Sequence, residues 1–454
     1  MTTVLSFASL FPRILLGFWL IDLVWNSTKK EHLLVKLFLA GAAGFGISSL
    51  LAFLWIWSGG SLDRYVFLET AAALLFTGLG LYRRFVAFRD AFQTSQKLDG
   101  PAWFWRVIMG IGILLFMANL ISVGFQFPHG RMDAWTNWNV VSRFIYLGGD
   151  DWENTFLRNF DHPDYPLMMT ISNAITWVHI GKNSIWGPIS FHFLAGLSTA
   201  GLLFSLVNVF KGTRQAYLAA LLCVMQPSIA ANAMSQYADF PLSYLMLAAG
   251  GALLLYLLTD DARLVILSGF FTGLSPWMKN EGFVTVAVFT LTWVMISLQK
   301  RRSAFRDYLI GLAIPLMVVI LFKSFLAPPN DLVAGERNMF EQITDVARYM
   351  VIIRAAGVTL WDLGQGPIPL IALIILYGAL AGRSRQHVAG LWMIGAIILL
   401  QTLAYFAVYL TTPHDLEWHL ITSMNRLYSH VLPLAFLVFF IWIKSPRELA
   451  SKES

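Results

Sequence analysis

Thirteen apolar runs follow one another along this chain, at residues 4–25, 33–57, 64–82, 104–124, 186–209, 214–230, 240–258, 262–277, 283–298, 307–326, 367–382, 389–411 and 427–443. Crossing about 30 Å of hydrocarbon takes roughly 20 helical residues, so this succession constrains the fold more than any motif. The runs lack the two-residue alternation of a membrane strand, which selects helices over a barrel. Composition agrees: 57% of the residues are hydrophobic and 13% charged, against about 25% charged in a soluble domain. The expected fold is an all-α polytopic membrane protein with about 13 transmembrane helices, forming one membrane-embedded domain over residues 1–454. The first run lacks a basic start and a small-residue cleavage site, which predicts a retained helix.

Residues 165–180 are also apolar, but Pro163, Pro166, Asn173 and His179 interrupt them. They are expected to form a re-entrant or interfacial helix, because with that choice the basic residues sort to one face. Twenty of the 32 lysines and arginines then share a side, from Lys29, Lys30 and Lys36 through Arg83, Arg84, Arg89, Lys97, Arg106, Lys211, Arg214 and Arg263 to Lys300, Arg301, Arg302, Arg306, Arg383, Arg385, Lys444, Arg447 and Lys452. That side is assigned to the cytoplasm. The net charge of +6 is thereby explained by topology and contact with anionic lipid, and nucleic acid is not an expected partner. The outer side holds the two longest connections, 125–165 and 328–366, and the acids Asp133, Asp150, Asp151, Glu153, Asp161, Asp164, Asp239 and Glu281. The single cysteine, Cys223, lies in an apolar run, which excludes an intramolecular disulfide and a cysteine metal cluster.

The outer connections carry the chemistry. In the first, Trp135, Trp138, Val141, Phe144 and Ile145 recur at helical spacing, predicting a helix along the membrane surface with its tryptophans at headgroup level. Asp133 stands at its start, where it can act as a helix cap or as a reactive carboxylate. Arg143 lies on the same helix. Asp239, in Tyr237-Ala-Asp239-Phe-Pro241, sits at the outer mouth of an apolar run, where an acid is costly and marks function. Lys279 and Glu281 in Trp277-Met-Lys279-Asn-Glu281-Gly place a cation and an anion at another outer helix end, which a snorkelling lysine with a counter-ion would also explain. His414, Asp415, Glu417, Trp418, His419, Arg426 and His430 crowd one joint, and the seven-residue spacing of His419 and Arg426 aligns them on one helix face.

In their order these features resemble the GT-C superfamily of membrane glycosyltransferases, close to its protein O-mannosyltransferase and lipid A aminoarabinose transferase branch. The resemblance rests on Asp133 with its tryptophans, Asp164-Tyr-Pro-Leu, Tyr237-Ala-Asp239-Phe-Pro and Trp277-Met-Lys279-Asn-Glu281-Gly, and covers about residues 125–300. It implies a GT-C-like core over 104–300, preceded by extra N-terminal helices within 1–82 and followed by C-terminal helices and outer loops over 301–454. It also implies a glycosyltransferase that moves a sugar from a polyprenyl-phosphate donor to a hydroxyl of a lipid, glycan or protein at the outer face, with inversion. Catalytic roles fall to Asp133 as base and to Asp239. Substrate binding falls to Arg143, Lys279, Glu281, His419, Arg426, Trp135 and Trp138, with Lys279 and Arg426 on the phosphate. A divalent metal, if used, would lie between Asp133 and Asp239. The chain departs from the family in its additional N-terminal runs and in Ala134, which stands where a second acid often follows the loop aspartate.

The principal alternative is a transporter or flippase of a lipid-linked or small polar substrate, which would show interrupted helices and inverted repeats. A phosphoethanolamine-type transferase would need a soluble lobe, and a glycan ligase or polymerase would lean on arginine and histidine. The expected location is a bacterial inner membrane, with the site facing the periplasm or exterior.

Overall fold

The computed structural model describes residues 1–93, 102–157, 162–299, 302–329 and 339–450. Lys97, Asp161, Lys300, Arg301 and Lys452 of the charge pattern lie outside them, as do the side chains of Arg89 and Arg302. The described chain is helical, with a single β-type bridge between Arg383 and Ile443.

Among the described residues, nine segments are long and apolar enough to cross a membrane: Thr2–Val24, Lys30–Trp57, Leu62–Arg84, Trp103–Gln126, Trp186–Lys211, Asp239–Thr259, Ser303–Phe325, Val388–Leu410 and Leu416–Trp442. The protein is an integral membrane protein. The expected run at 214–230 becomes two helices, Thr213–Val224 and Pro227–Ala233, bent by 69° and making at most a tenth span. Pro227 opens the second helix, where its missing N–H costs nothing. The runs expected at 262–277, 283–298 and 367–382 form shorter helices, Ala262–Met278, Gly282–Gln299 and Leu370–Ala381, of 17, 18 and 12 residues. The described residues thus hold nine or ten candidate spans by length and composition, against the thirteen runs read from the sequence.

Residues 165–180 give no candidate span. They contain the helix Met168–Ile180, whose 13 residues reach only about 20 Å, and from Met168 to Trp177 every side chain is buried. It is packed inside the protein, and it is not among the candidate spans. The expected surface helix of the first outer connection is a π-helical turn, Ala134–Trp138, continuing as Asn139–Gly148 and a 3-10 segment, Gly149–Leu157. Trp135 is exposed as expected, whereas Trp138 is buried and stacked on Tyr165 with ring centres 4.8 Å apart.

The N-terminal helices join the rest of the molecule closely. Helices Phe11–Val24 and Lys30–Trp57 cross backbone against backbone: a Cβ on Gly17 would stand 2.0 Å from the Ala40 carbonyl oxygen, and one on Gly44 would strike Arg13. Buried Arg13 then reaches the internal helix, donating to the Ser172 carbonyl (2.9 Å) and to Thr176 Oγ1 (2.7 Å).

The two ends of the bundle differ. Helix Asp239–Thr259 spans 21 residues, about 30 Å. Asp239 opens it at the end carrying the outer acids, and past its far end Arg263 pairs with Asp261 at 2.7 Å and bonds Asn26. Arg84, which donates to the Asn26 carbonyl at 3.0 Å, belongs to that same basic end.

Candidate functional site

A strained turn ties together the segments that carry Asp133 and Asp239. Gln236 adopts φ +61°, a left-handed conformation uncommon for a residue with a side chain. Its amide oxygen accepts from Asn139 Nδ2 at 2.7 Å, and its Nε2 donates to the Pro128 carbonyl at 3.2 Å. The Arg131 N–H donates to the Ser235 carbonyl at 3.0 Å. The first outer connection is thereby tied to the residues just before Asp239, and the Asp133 N–H donates to the Tyr237 hydroxyl at 3.3 Å.

At the start of Ala134–Trp138, the Asp133 side chain makes no capping hydrogen bond. Its Oδ2 forms an ion pair with Arg426 Nη1, and the Arg426 guanidinium lies 5.1 Å from the centre of the Tyr237 ring. The cap reading of Asp133 is therefore set aside in favour of a charge contact spanning 293 residues of chain.

Asp239 is the hub of a second network. Its Oδ1 accepts from Lys279 Nζ at 2.8 Å and from His430 Nε2 at 2.9 Å. The His430 Nδ1 lies 2.8 Å from the Tyr405 hydroxyl, which accepts from Gln401 Nε2 at 2.8 Å. One donor direction satisfies the whole chain: Gln401 to Tyr405, Tyr405 to His430 Nδ1, and His430 Nε2–H to Asp239. That direction puts a ring proton on His430 Nε2 and leaves Nδ1 as the acceptor. Lys279 also bonds Glu281 Oε1 at 2.7 Å. Burial works against the Lys279 charge, but the carboxylates of Asp239 and Glu281 outweigh it and raise its pKa above the ordinary value. Burial likewise opposes ionisation of Glu281, and the neighbouring Lys279 overcomes it, holding its carboxyl below the ordinary range. The turn that presents these residues is tight, since a Cβ on Gly282 would lie 2.1 Å from the Ser275 carbonyl carbon.

Lys279, Glu281 and Tyr405 of this network line a cavity of about 480 Å³ at the Asp239 end of the bundle, within the range of ligand pockets. Lys279, Asn280 and Glu281 form one side, and His419, Ser423 and Arg426 another. Asp164 and Lys323 close a third side: Asp164 Oδ2 accepts from Lys323 Nζ at 3.0 Å and from Asn280 Nδ2 at 2.8 Å. Tyr165 is stacked between Trp138 and His162, whose ring lies 4.7 Å away. Burial, followed by the Glu281 charge, pushes the Tyr165 phenol up, so it stays protonated.

Four of the residues given substrate-binding roles from the sequence, Lys279, Glu281, His419 and Arg426, share this cavity wall. His419 and Arg426 do so from one face of Leu416–Trp442, as their spacing predicts. Asp133 and Asp239 stand one contact behind, through Arg426 and Lys279. Trp135 and Arg143 are exposed and outside the lining, and Trp138 reaches the site only through Tyr165. Lys323, Tyr405 and Gln401 were not anticipated, although a buried glutamine and a lysine inside apolar runs are signals of the kind that mark function in membranes.

Among the described residues no three His, Cys, Asp or Glu side chains are grouped to hold a metal ion. Asp133 and Asp239 already engage cationic or N–H donors, so this donor set does not fit a divalent ion between them. Compared with known proteins, the chain matches no family model, no curated protein and no solved structure.

Proposed function

We propose that the protein is a membrane glycosyltransferase that takes a sugar from a polyprenyl-phosphate carrier and passes it to a hydroxyl of a lipid, glycan or protein at the outer face of a bacterial inner membrane. The observation that carries this reading is the convergence of Lys279, Lys323 and Arg426 on one cavity at the outer end of apolar helices, where the phosphate of a lipid-anchored donor would lie.

The resemblance to the GT-C superfamily supplies the reaction. The acceptor oxygen attacks the anomeric carbon as the bond from that carbon to the phosphate oxygen breaks. The electron pair leaves with the polyprenyl phosphate, and the acceptor proton passes to a carboxylate. A single displacement inverts the anomeric centre. The phosphate gains one negative charge during transfer, so fixed cations beside it favour the transition state over the ground state. Lys279 and Arg426 fill that role, the arginine suited to a two-point grip.

Asp133 is assigned as base. Arg426 occupies its Oδ2, and a donor phosphate that draws the Arg426 guanidinium onto itself would free this carboxylate to accept a proton. Glu281 is the competing base, because it lines the cavity itself.

The test is transfer of radiolabelled sugar from a panel of synthetic polyprenyl-phosphate donors, in nanodiscs with a membrane extract as acceptor, by wild type and Asp133→Asn. Transfer by wild type and its loss in the folded variant supports class and base together. Full activity of Asp133→Asn removes the base assignment. No transfer from any donor by intact protein moves the reading to a transporter.

A further inference from the structure

The additional N-terminal helices reach the back of the cavity wall. Phe53, on Lys30–Trp57, is fully buried, and its ring centre lies 5.3 Å from that of Trp277 and 6.1 Å from that of Phe322, both edge-on. Trp277 precedes Lys279 by two residues, and Phe322 adjoins Lys323. One turn earlier on the same helix, Ser49 Oγ accepts the Trp277 indole N–H at 3.0 Å.

We propose that Phe53 and Ser49 are positioning residues that set the separation and orientation of Lys279 and Lys323 across the cavity, and that this is what the N-terminal helices contribute to the site. Each lysine ends a flexible four-carbon stem, so the place of its ammonium depends on where its backbone is pinned. Lys279 lies in the turn after Ala262–Met278 and Lys323 in the last turn of Arg302–Phe325. Phe53 is wedged against an aromatic ring from each of these segments. Buried rings at such distances interlock as in a crystal, so displacement of one is felt by its neighbours. Ser49 adds direction, because the indole N–H fixes the rotation of Trp277.

The positioning claim concerns geometry alone; that the lysines then hold a phosphate rests on the function proposed above, and the experiment separates the two. Phe283 and Ser324 are exposed and flank the two segments, so nitroxide labels on Phe283→Cys and Ser324→Cys report the separation, in a Cys223→Ser background that removes the one native cysteine. Distances are read by pulsed electron resonance in nanodiscs. A single narrow distribution is expected for the parent, and a shifted or broadened one for Phe53→Ala and for the milder Phe53→Leu, which keeps most of the volume should the alanine variant not fold. Ser49→Ala and Trp277→Phe should each give a smaller change that the double variant does not exceed. An unchanged distribution in Phe53→Leu and Ser49→Ala overturns the proposal. In parallel, farnesyl monophosphate is titrated into the unlabelled proteins, where Phe53→Leu should bind about tenfold more weakly than wild type, as a 1.4 kcal/mol loss would give, and Arg263→Ala equally well. Failure of wild type to bind it removes the phosphate reading, while the label distances still decide the positioning claim.

Discussion

The two ends of the bundle use the same residue types to opposite effect. At the basic end, Asp22 accepts from Lys36 (2.6 Å) on one oxygen and from Arg84 (3.0 Å) on the other, and Lys36 also donates to the Ser27 carbonyl. Lys211, Ser384 and Glu448 close a similar ring, with Lys211 donating to Ser384 and Glu448 at 2.7 and 2.9 Å. At the outer end, Asp239 takes two donors on Oδ1, whereas its buried Oδ2 has no hydrogen-bond partner among the described residues, nor do Arg426 Nε and Asn280 Oδ1. Burying such groups without partners costs free energy. The basic end closes its charges on one another and so fixes helices. The outer end keeps unused donors and acceptors around a cavity, which is what a site for a polar ligand needs.

The most severe break in this contrast should come from Asp133→Asn. It keeps the shape of the outer end and removes the proposed base, so the proposed sugar transfer should fall by about 10² to 10⁴-fold with the thermal midpoint nearly unchanged. If Glu281→Gln shows that loss and Asp133→Asn does not, the base is Glu281. Next in size is stability. Lys279→Ala leaves the buried Asp239 carboxylate without its lysine, at about 3–5 kcal/mol, while Lys36→Ala leaves Asp22 with Arg84 and should cost about 1–3 kcal/mol. Chemical unfolding in mild detergent measures both, and equal losses would mean that the outer network is as closed as the inner one. The smallest effect is acid sensitivity at the basic end. Burial works against the Glu448 charge, but bonds from Ser445, Lys211 and Ser384 prevail and hold its pKa at about 2, below the ordinary 4.5. A carboxyl depressed on folding contributes stability that is complete above the ordinary value and is lost as pH falls toward about 2. Glu448→Gln should therefore flatten the acid limb of the thermal midpoint over that window and leave transfer at neutral pH unchanged.

Much of this contrast was legible in the sequence. The apolar runs gave the helices, and the heptad spacing of His419 and Arg426 put both on the cavity. Span lengths were less legible, because apolarity alone does not reveal the 69° bend at Pro227 or the shortness of Leu370–Ala381. The tryptophans misled for a physical reason: Trp135 and Trp138 share a helical pattern, but tertiary stacking on Tyr165 takes Trp138 out of the interface. The partners of Asp133 and Asp239 lie far away in sequence, at Arg426 and His430, and no local period encodes such contacts. Lys323 and Gln401 carried a local signal, a polar residue within an apolar run, that pointed to their place at the site. Phe53 carried none, since a phenylalanine in an apolar helix looks the same whether it faces lipid or braces a lysine.

The central claim is that the outer cluster, and not the basic end, receives the anion of a lipid-linked substrate. Calorimetric titration of farnesyl monophosphate into wild type, Arg426→Ala and Arg84→Ala tests it most directly. Saturable binding by wild type, weakened about tenfold or more by Arg426→Ala, as loss of one charged hydrogen bond of about 1.5–3 kcal/mol implies, and untouched by Arg84→Ala, is the expected result. Binding that Arg426→Ala leaves intact, or that Arg84→Ala weakens as much, would contradict it.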